Sequence, residues 1–348
     1  MVGREYHTST YTRKARGHLT KKSPQPFLPY GHQKIEADDI ASVTSVLTSD
    51  FLTTGPTVDD FEVAFAEKVG AKHAVACSSG TAGLHIAAMA LELMPDCIAV
   101  VPTLTFLATA NVVRFVGAEV VFSDVSAETG LMRPEDLEIV LNSPHGSKAK
   151  VVFPVHLNGQ CADMVEISRL ALKQGLAVVE DACHALGTCY LSGAKRVIVG
   201  ACQHSDMTVF SLHPVKTVTA GEGGIVATND DTLYSNLKRL RNQGIIRNPE
   251  LFQHKQLAFD IKGNLNPWYY EMHSLGLNYR ASDIHCALGL SQLNKLDGYA
   301  QKRRYLSARY DALLAPLAPY LRPVTRVPYC DPVLHLYVVL IAFDKLGI

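Results

Sequence analysis

The sequence predicts an α/β fold, a mostly parallel sheet sandwiched by helices with a smaller α/β region toward the C terminus. Three observations predict it. Short apolar runs alternate along the chain with segments of helical periodicity. The runs are near-continuous Val, Ala and Ile, as strands covered on both faces require. Across 348 residues, 47% are hydrophobic and only 19% charged, which is enough apolar surface for a large core.

Two helices open the order. Residues 36–49 place Ile40, Val43, Val46 and Leu47 on one face, and residues 57–69 do the same with Phe61, Phe65 and Val69 before Gly70. Strands are expected at His73 to Ser78, Ile98 to Pro102, Glu119 to Asp124, Lys150 to His156, Ala177 to Asp181 and Met207 to Ser211, with helices near 82–93, 105–116, 134–142 and 162–174 between them. A strand, not a helix, follows Gly221-Glu222-Gly223-Gly224, so that run is not a dinucleotide fingerprint. The pattern is helical from Asp231 to Arg241. An irregular polar stretch from Gly244 to Trp268, with Asn248-Pro249 and Lys262-Gly263-Asn264, reads as a long functional loop. A helix from Ser282 to Tyr310, interrupted near Asp297-Gly298, and a strand from Tyr337 to Phe343 complete the order. The expected division is a basic, disordered extension at 1–26, a large domain at 27–245, and a loop, helical segment and incomplete small domain at 246–348.

Thirty-three Lys and Arg balance 33 Asp and Glu, so no overall field gathers nucleic acid or an anionic membrane. The extension is an exception, with six basic residues against Glu5 alone. No apolar run approaches the ~18 residues of a membrane span, so a cytoplasmic location is expected. The eight cysteines, at 77, 97, 161, 183, 189, 202, 286 and 330, form no Cys-x-x-Cys pair and read as reduced, buried thiols with no metal site. Cys183-His184 is no nucleophilic dyad, because consecutive side chains point apart.

In an open α/β sheet, chemistry belongs beyond the carboxyl ends of the strands. After the first strand, Ser78-Ser79-Gly80-Thr81 opens a helix, which suits either a plain cap or a phosphate on free N–H groups. Val178-Val179-Glu180-Asp181 runs straight into an acid. Asp181 is either the N-cap of a following helix or a carboxylate held against a cationic ring nitrogen. Five residues beyond Ser211, Lys216 is flanked by Pro, Val and Thr rather than by charges. Desolvation of such a lysine lowers its pKa and makes it a nucleophilic amine.

Five segments then carry a resemblance over residues 28–344: Ser79-Gly80-Thr81, the Pro102 to Asn111 run, Glu180 to Gly187, Phe210 to Lys216 and Asn278-Tyr279-Arg280. The sequence resembles the sugar-nucleotide aminotransferases of the DegT/DnrJ/StrS type, which use pyridoxal 5'-phosphate (PLP) on an aspartate-aminotransferase-like fold, fold type I. Within that family, Pro29-Tyr30-Gly31, Asp50-Phe51-Leu52-Thr53, His213 to Lys216, Trp268 to Met272 and Ala287 to Leu293 are most similar to the transaminases of pseudaminic acid biosynthesis.

The resemblance implies that Lys216 carries PLP and shuttles the proton, and that Asp181 keeps the pyridine nitrogen protonated. It further implies that Gly80, Thr81 and Ser211 hold the phosphate with Asn278 from a neighbouring subunit, and that Phe106 stacks on the ring. Without it, Phe106 reads equally as a core aromatic. His184 and Gln160 are expected near the ring's phenolic oxygen, and Tyr30, Phe51, Leu52, Thr53, Ser211 and Arg280 on the substrate side. The implied reaction is C4 amination of a UDP-linked 4-keto-6-deoxy-N-acetylhexosamine, with glutamate as donor and 2-oxoglutarate as by-product, in a homodimer with shared sites. Relatives that dehydrate sugars have histidine at the Lys216 position, so the lysine favours transamination. The alternatives are a different keto sugar, or a shortened, inactive relative that binds partners or sugar nucleotides, since the family normally continues past the point where this chain stops.

Overall fold

The computed structural model describes Pro29 and residues 31–347. The expected extension at 1–26 and Tyr30 lie outside the described residues. Every element among the described residues lies beyond Gln33.

Helix α1 (Ala37–Leu47) starts the fold. Its expected apolar face is only partly buried: Val46 is buried and Val43 half-buried, but Ile40 and Leu47 stay exposed, and α1 also buries Asp39. The Asp39 carboxyl group accepts from Ser291 Oγ, Gln292 Nε2 and Lys295 Nζ at 2.6, 2.8 and 2.9 Å, so paired polar groups dock this helix. Helix α2 (Pro56–Val69) has Pro at its first position and Gly70 at φ 79° just past its end, a conformation that glycine adopts without a Cβ penalty. It buries Phe61 and Phe65.

The β-α alternation then runs β1 (His73–Cys77), α3 (Gly80–Ala90), β2 (Ile98–Pro102), α4 (Leu107–Phe115), β3 (Glu119–Ser123), α5 (Pro134–Leu141), β4 (Ala149–Val152), α6 (Met164–Gln174) and β5 (Ala177–Asp181). A hairpin, β6 (Cys189–Ser192) and β7 (Lys195–Ile198), precedes β8 (Met207–Ser211), β9 (Gly224–Thr228) and α7 (Asp231–Leu240). The central sheet has seven strands in the order β1-β9-β8-β5-β4-β2-β3. Only β9 runs against the rest. Alternate strand residues feed two cores, one per face: Ala74, Ala76 and Phe210 pack with Phe61 and Phe65, while Val75, Cys77 and Val209 pack with Ile86, Val112 and Phe153. This is the helix-covered, mostly parallel sheet that the sequence predicts.

Residues 244–268 are largely irregular, with β10 (Ile245–Ile246) paired to β11 (Glu271–Met272) and two short helical turns between them, a 3-10 turn at Pro249–Leu251 and α8 (Lys255–Ala258). The expected helix from Ser282 to Tyr310 is two helices, α9 (Asp283–Leu293) and α10 (Leu296–Leu314). The break falls at Asn294-Lys295, where Lys295 Nζ reaches back to Asp39, and Asp297-Gly298 lie inside α10. Strand β12 (Leu321–Pro323) is followed by β13 (Cys330–Asp331), which extends the β6–β7 hairpin into three strands. Strand β14 (Val339–Ile341) pairs with β12 and is shorter than the expected 337–343, because the short helix α11 (Phe343–Leu346) takes its end. No helix among the described residues is long and apolar enough to cross a membrane.

Candidate active site

The carboxyl ends of β1, β5 and β8 bring Gly80, Thr81, Asp181, His184, Ser211 and Lys216 together. At α3, the Ser79 hydroxyl caps the helix by accepting from Ala82 N–H at 3.0 Å, and the Ser79 carbonyl takes Gly83 N–H at 3.0 Å. Of the four N–H groups that a helix start leaves free, those of Gly80 and Thr81 have no recorded partner among the described residues. A Cβ on Gly80 would stand 2.9 Å from Ser211 Cβ and 3.2 Å from Cys183 Sγ. The glycine therefore lets the helix start, the end of β8 and the Cys183 turn close on one small space. Two free N–H groups at the positive end of a helix, beside a serine hydroxyl, fit a phosphate group.

Asp181 ends β5 and is buried. Its Oδ2 accepts from Thr109 Oγ1 at 2.6 Å, Thr109 pairs with Thr105 Oγ1 at 2.8 Å, and Asp181 Oδ1 accepts Cys183 N–H at 3.2 Å. No helix follows Asp181, so it is not an N-cap. The Cys183 thiol is pushed well above its usual range by burial and by Asp181, which leaves it inert as a nucleophile.

Lys216 forms no ion pair among the described residues. Burial lowers its pKa, against a smaller raising effect of Cys183 and Asp181. The Cys183-His184 turn lies within electrostatic reach of Lys216. The His184 imidazole is held down at about 4, chiefly by burial and then by the Lys216 charge.

The Phe106 side chain is 68% exposed at the start of α4, so it is not a core aromatic. Gln160 is fully buried, and both ends of its amide are engaged: Nε2 donates to the Thr325 carbonyl at 3.1 Å and Oε1 accepts Val327 N–H at 3.0 Å. Within this chain it docks the 325–327 segment.

The other expected residues gather around the start of α9. Phe51, Leu52 and Thr53 form an exposed turn in which Thr53 bridges to Ser282. The Asp283 carboxyl group fastens that turn by accepting Gly55 N–H at 2.9 Å and Thr57 N–H at 3.1 Å. Arg280 donates from Nη1 to Asn242 Oδ1 at 2.7 Å and, with Thr54, Gly55 and Lys238, lines a cleft of about 150 Å³. Asn278 is exposed, its backbone paired with Asn242. Sequence reasoning assigned no role to Thr105 or Thr109, although their i, i+4 spacing at the start of a helix puts two hydroxyls on one face. It also passed over His335, which lies against His184.

The match to known proteins agrees with this geometry. The model of the DegT/DnrJ/EryC1/StrS aminotransferase family matches residues 33–346. The chain belongs to that family. Its members are PLP-dependent aminotransferases, and the space framed by Gly80, Thr81, Ser211, Asp181 and Lys216 fits that cofactor. A UDP-4-amino-4,6-dideoxy-N-acetyl-beta-L-altrosamine transaminase of Campylobacter jejuni is 38% identical over 285 residues, covering 82% of this chain and 69% of the relative. The spore coat polysaccharide biosynthesis protein SpsC of Bacillus subtilis is 34% identical, covering 92% and 78%. Among solved structures, the Helicobacter pylori aminotransferase PseC, involved in pseudoaminic acid biosynthesis, superposes with a TM-score of 0.78 at 27% identity, covering 92% of this chain and 79% of that one. An aminotransferase from Psychrobacter cryohalolentis gives 0.80 at 28%, covering 92% and 78%.

Proposed function

We propose that the protein transfers the amino group of glutamate to C4 of a UDP-linked 4-keto-6-deoxy-N-acetylhexosamine, yielding the 4-amino sugar nucleotide and 2-oxoglutarate. The single observation that supports the chemistry best is an unpaired, half-buried lysine beside a buried, hydrogen-bonded aspartate at the strand ends. The sugar reading draws on the likeness to the altrosamine transaminases.

Bound there, PLP supplies an electron sink for charge left at a substrate carbon. Lys216 Nζ holds the group covalently and moves the proton at the substrate carbon; burial makes it a better base near neutrality than an exposed lysine. Asp181, oriented by Thr109 and by Cys183 N–H, holds a proton on the ring nitrogen. Gly80, Thr81 and Ser211 seat the phosphate, Phe106 covers the ring, and His184 stands near its hydroxyl. Phe51, Leu52, Thr53 and Arg280 face the nucleotide sugar, with Tyr30 assigned there from sequence alone. The same reading makes the protein a cytoplasmic homodimer in which the partner's Asn278 completes each phosphate seat. It divides the chain into a large domain at 27–245, which supplies all seven central strands, and a smaller region at 246–348.

The test is the visible absorption of purified protein loaded with PLP. A band that Lys216→Ala loses and that glutamate bleaches is expected. Conversion of the UDP-keto sugar, followed by mass spectrometry of the product, then tests the sugar. A protein that gains no band with PLP removes the cofactor reading, whereas a band without conversion removes only the sugar.

A further inference from the structure

The backbone of one residue, Asn158, bonds to two histidines. Asn158, at φ 60°, donates its N–H to His184 Nδ1 at 3.4 Å and accepts His335 N–H on its carbonyl at 2.8 Å. The two rings lie 4.5 Å apart between centroids, tilted by 35°. His184 has only that one long hydrogen bond among the described residues, so its hydrogen bonding alone fixes its ring weakly. His335, by contrast, is anchored from several sides. Arg303 Nη1 donates to the Leu334 and His335 carbonyls at 3.1 and 3.2 Å, and Val333 N–H reaches Thr188 Oγ1 at 2.9 Å. A Cβ on Gly159 would collide with the Val333 carbonyl, so the 333–335 segment lies directly on the 158–159 turn. His335 Nδ1 is buried and finds no partner among the described residues. Burying a nitrogen without a hydrogen-bond partner costs stability, so this ring is not placed there for its own stability.

We propose that His335 is a positioning residue that keeps the His184 imidazole dry and in one orientation beside Lys216. The proposal rests on the reading that places the cofactor at Lys216, and it extends that site to the C-terminal segment. With Asn158 N–H directed at Nδ1, the favoured His184 tautomer carries its proton on Nε2, the donor on the far side of the ring, and the His335 ring adds the restraint that this one long bond lacks. The charges that face the pair are Lys216 and Asp181 at His184, and His184, Lys216 and Arg303 at His335. Three of these groups are cationic or become so, and burial acts in the same direction. Both imidazoles stay neutral near pH 7, His184 titrating at about 4 and His335 at about 2. The neutral His184 donates a hydrogen bond without adding a cation next to the Lys216 amine.

The test is histidine-selective NMR titration of the cofactor-free protein, with His184→Gln used to assign the resonance, so that it reads the imidazole whatever sugar the enzyme accepts. His335→Ala, which lets water reach the ring, is expected to raise the His184 midpoint by about one pH unit or more, and His335→Phe, which keeps the cover, is expected to leave it low. In the loaded enzyme the acid limb of the kcat profile should follow the same order while KM for the sugar stays within about twofold. If His335→Ala does not fold, His335→Asn takes its place with the same expected rise. A midpoint unmoved by Ala or Asn, or raised equally by Phe, overturns the proposal.

Discussion

Lys216 illustrates how a single residue is kept reactive at some expense to stability. Its folded pKa is lowered by burial, so the charged form is disfavoured in the native state. The sign follows: below the folded pKa the lysine is charged in both states and burial destabilises the fold, and the penalty fades as pH rises toward the ordinary value near ~10.4. Lys216→Met, which keeps the stem and drops the charge, should therefore stabilise the cofactor-free protein at pH 7 by roughly 0.5–2 kcal/mol while abolishing turnover. The gain should shrink as pH approaches ~10. Thermal melts of both proteins across pH 6–10 check this, and an unchanged or lower melting temperature at pH 7 contradicts it. At this scale the sequence was informative, since Lys216 stands among Pro, Val and Thr and Asp181 ends a run of valines. It was silent on Thr109, whose partner Asp181 lies 72 residues away, and on the engagement of the Gln160 amide with the 325–327 segment.

At the scale of elements, the site depends on how closely α3 approaches β8 and β9. A Cβ at Gly80 would press on Ser211 and Cys183, and one at Gly224 would collide with the Ser79 carbonyl and stand 2.7 Å from Gly80 N. Gly80→Ala should move the helix start away from Ser211 and weaken PLP binding about tenfold or more, with a stability loss of about 1–3 kcal/mol. Fluorescence titration of PLP together with a denaturant melt separates the two effects. Unchanged affinity would mean that the α3 N-terminus does not seat the phosphate. Elsewhere, helix ends followed local signals such as Pro56 and Gly70, whereas the docking of the α9–α10 junction on α1 rests on a long-range contact, that of Lys295 with Asp39.

For the whole molecule, apolar side chains of the 246–275 stretch, among them Ile261, Trp268, Met272 and Leu275, stand exposed in the single chain. Under the dimer reading, Lys216→Ala and Asn278→Asp lie in opposite halves of one composite site. Co-expression of the two nearly inactive variants should yield heterodimers with one intact site each. Random pairing makes about half of the dimers mixed, so activity should return to roughly a quarter of wild type. If native mass spectrometry shows mixed dimers and activity stays at the level of the parents, Asn278 does not act across the interface.

The sequence by itself determined the β-α alternation, the core strands and which polar residues stand at their ends, because periodicity and turn residues are read over a few positions. Tertiary structure decided the rest. The order of the strands, with β9 inserted antiparallel between β1 and β8, depends on which edges pair rather than on any local pattern. The β6–β7 hairpin gains its third strand from residues more than a hundred positions later, and the Asn158 unit that joins His184 to His335 exists only once the last segment has docked. Such contacts bring together groups far apart in the chain, and their geometry is set by close packing and hydrogen-bond satisfaction across the fold, which no local stretch of sequence encodes.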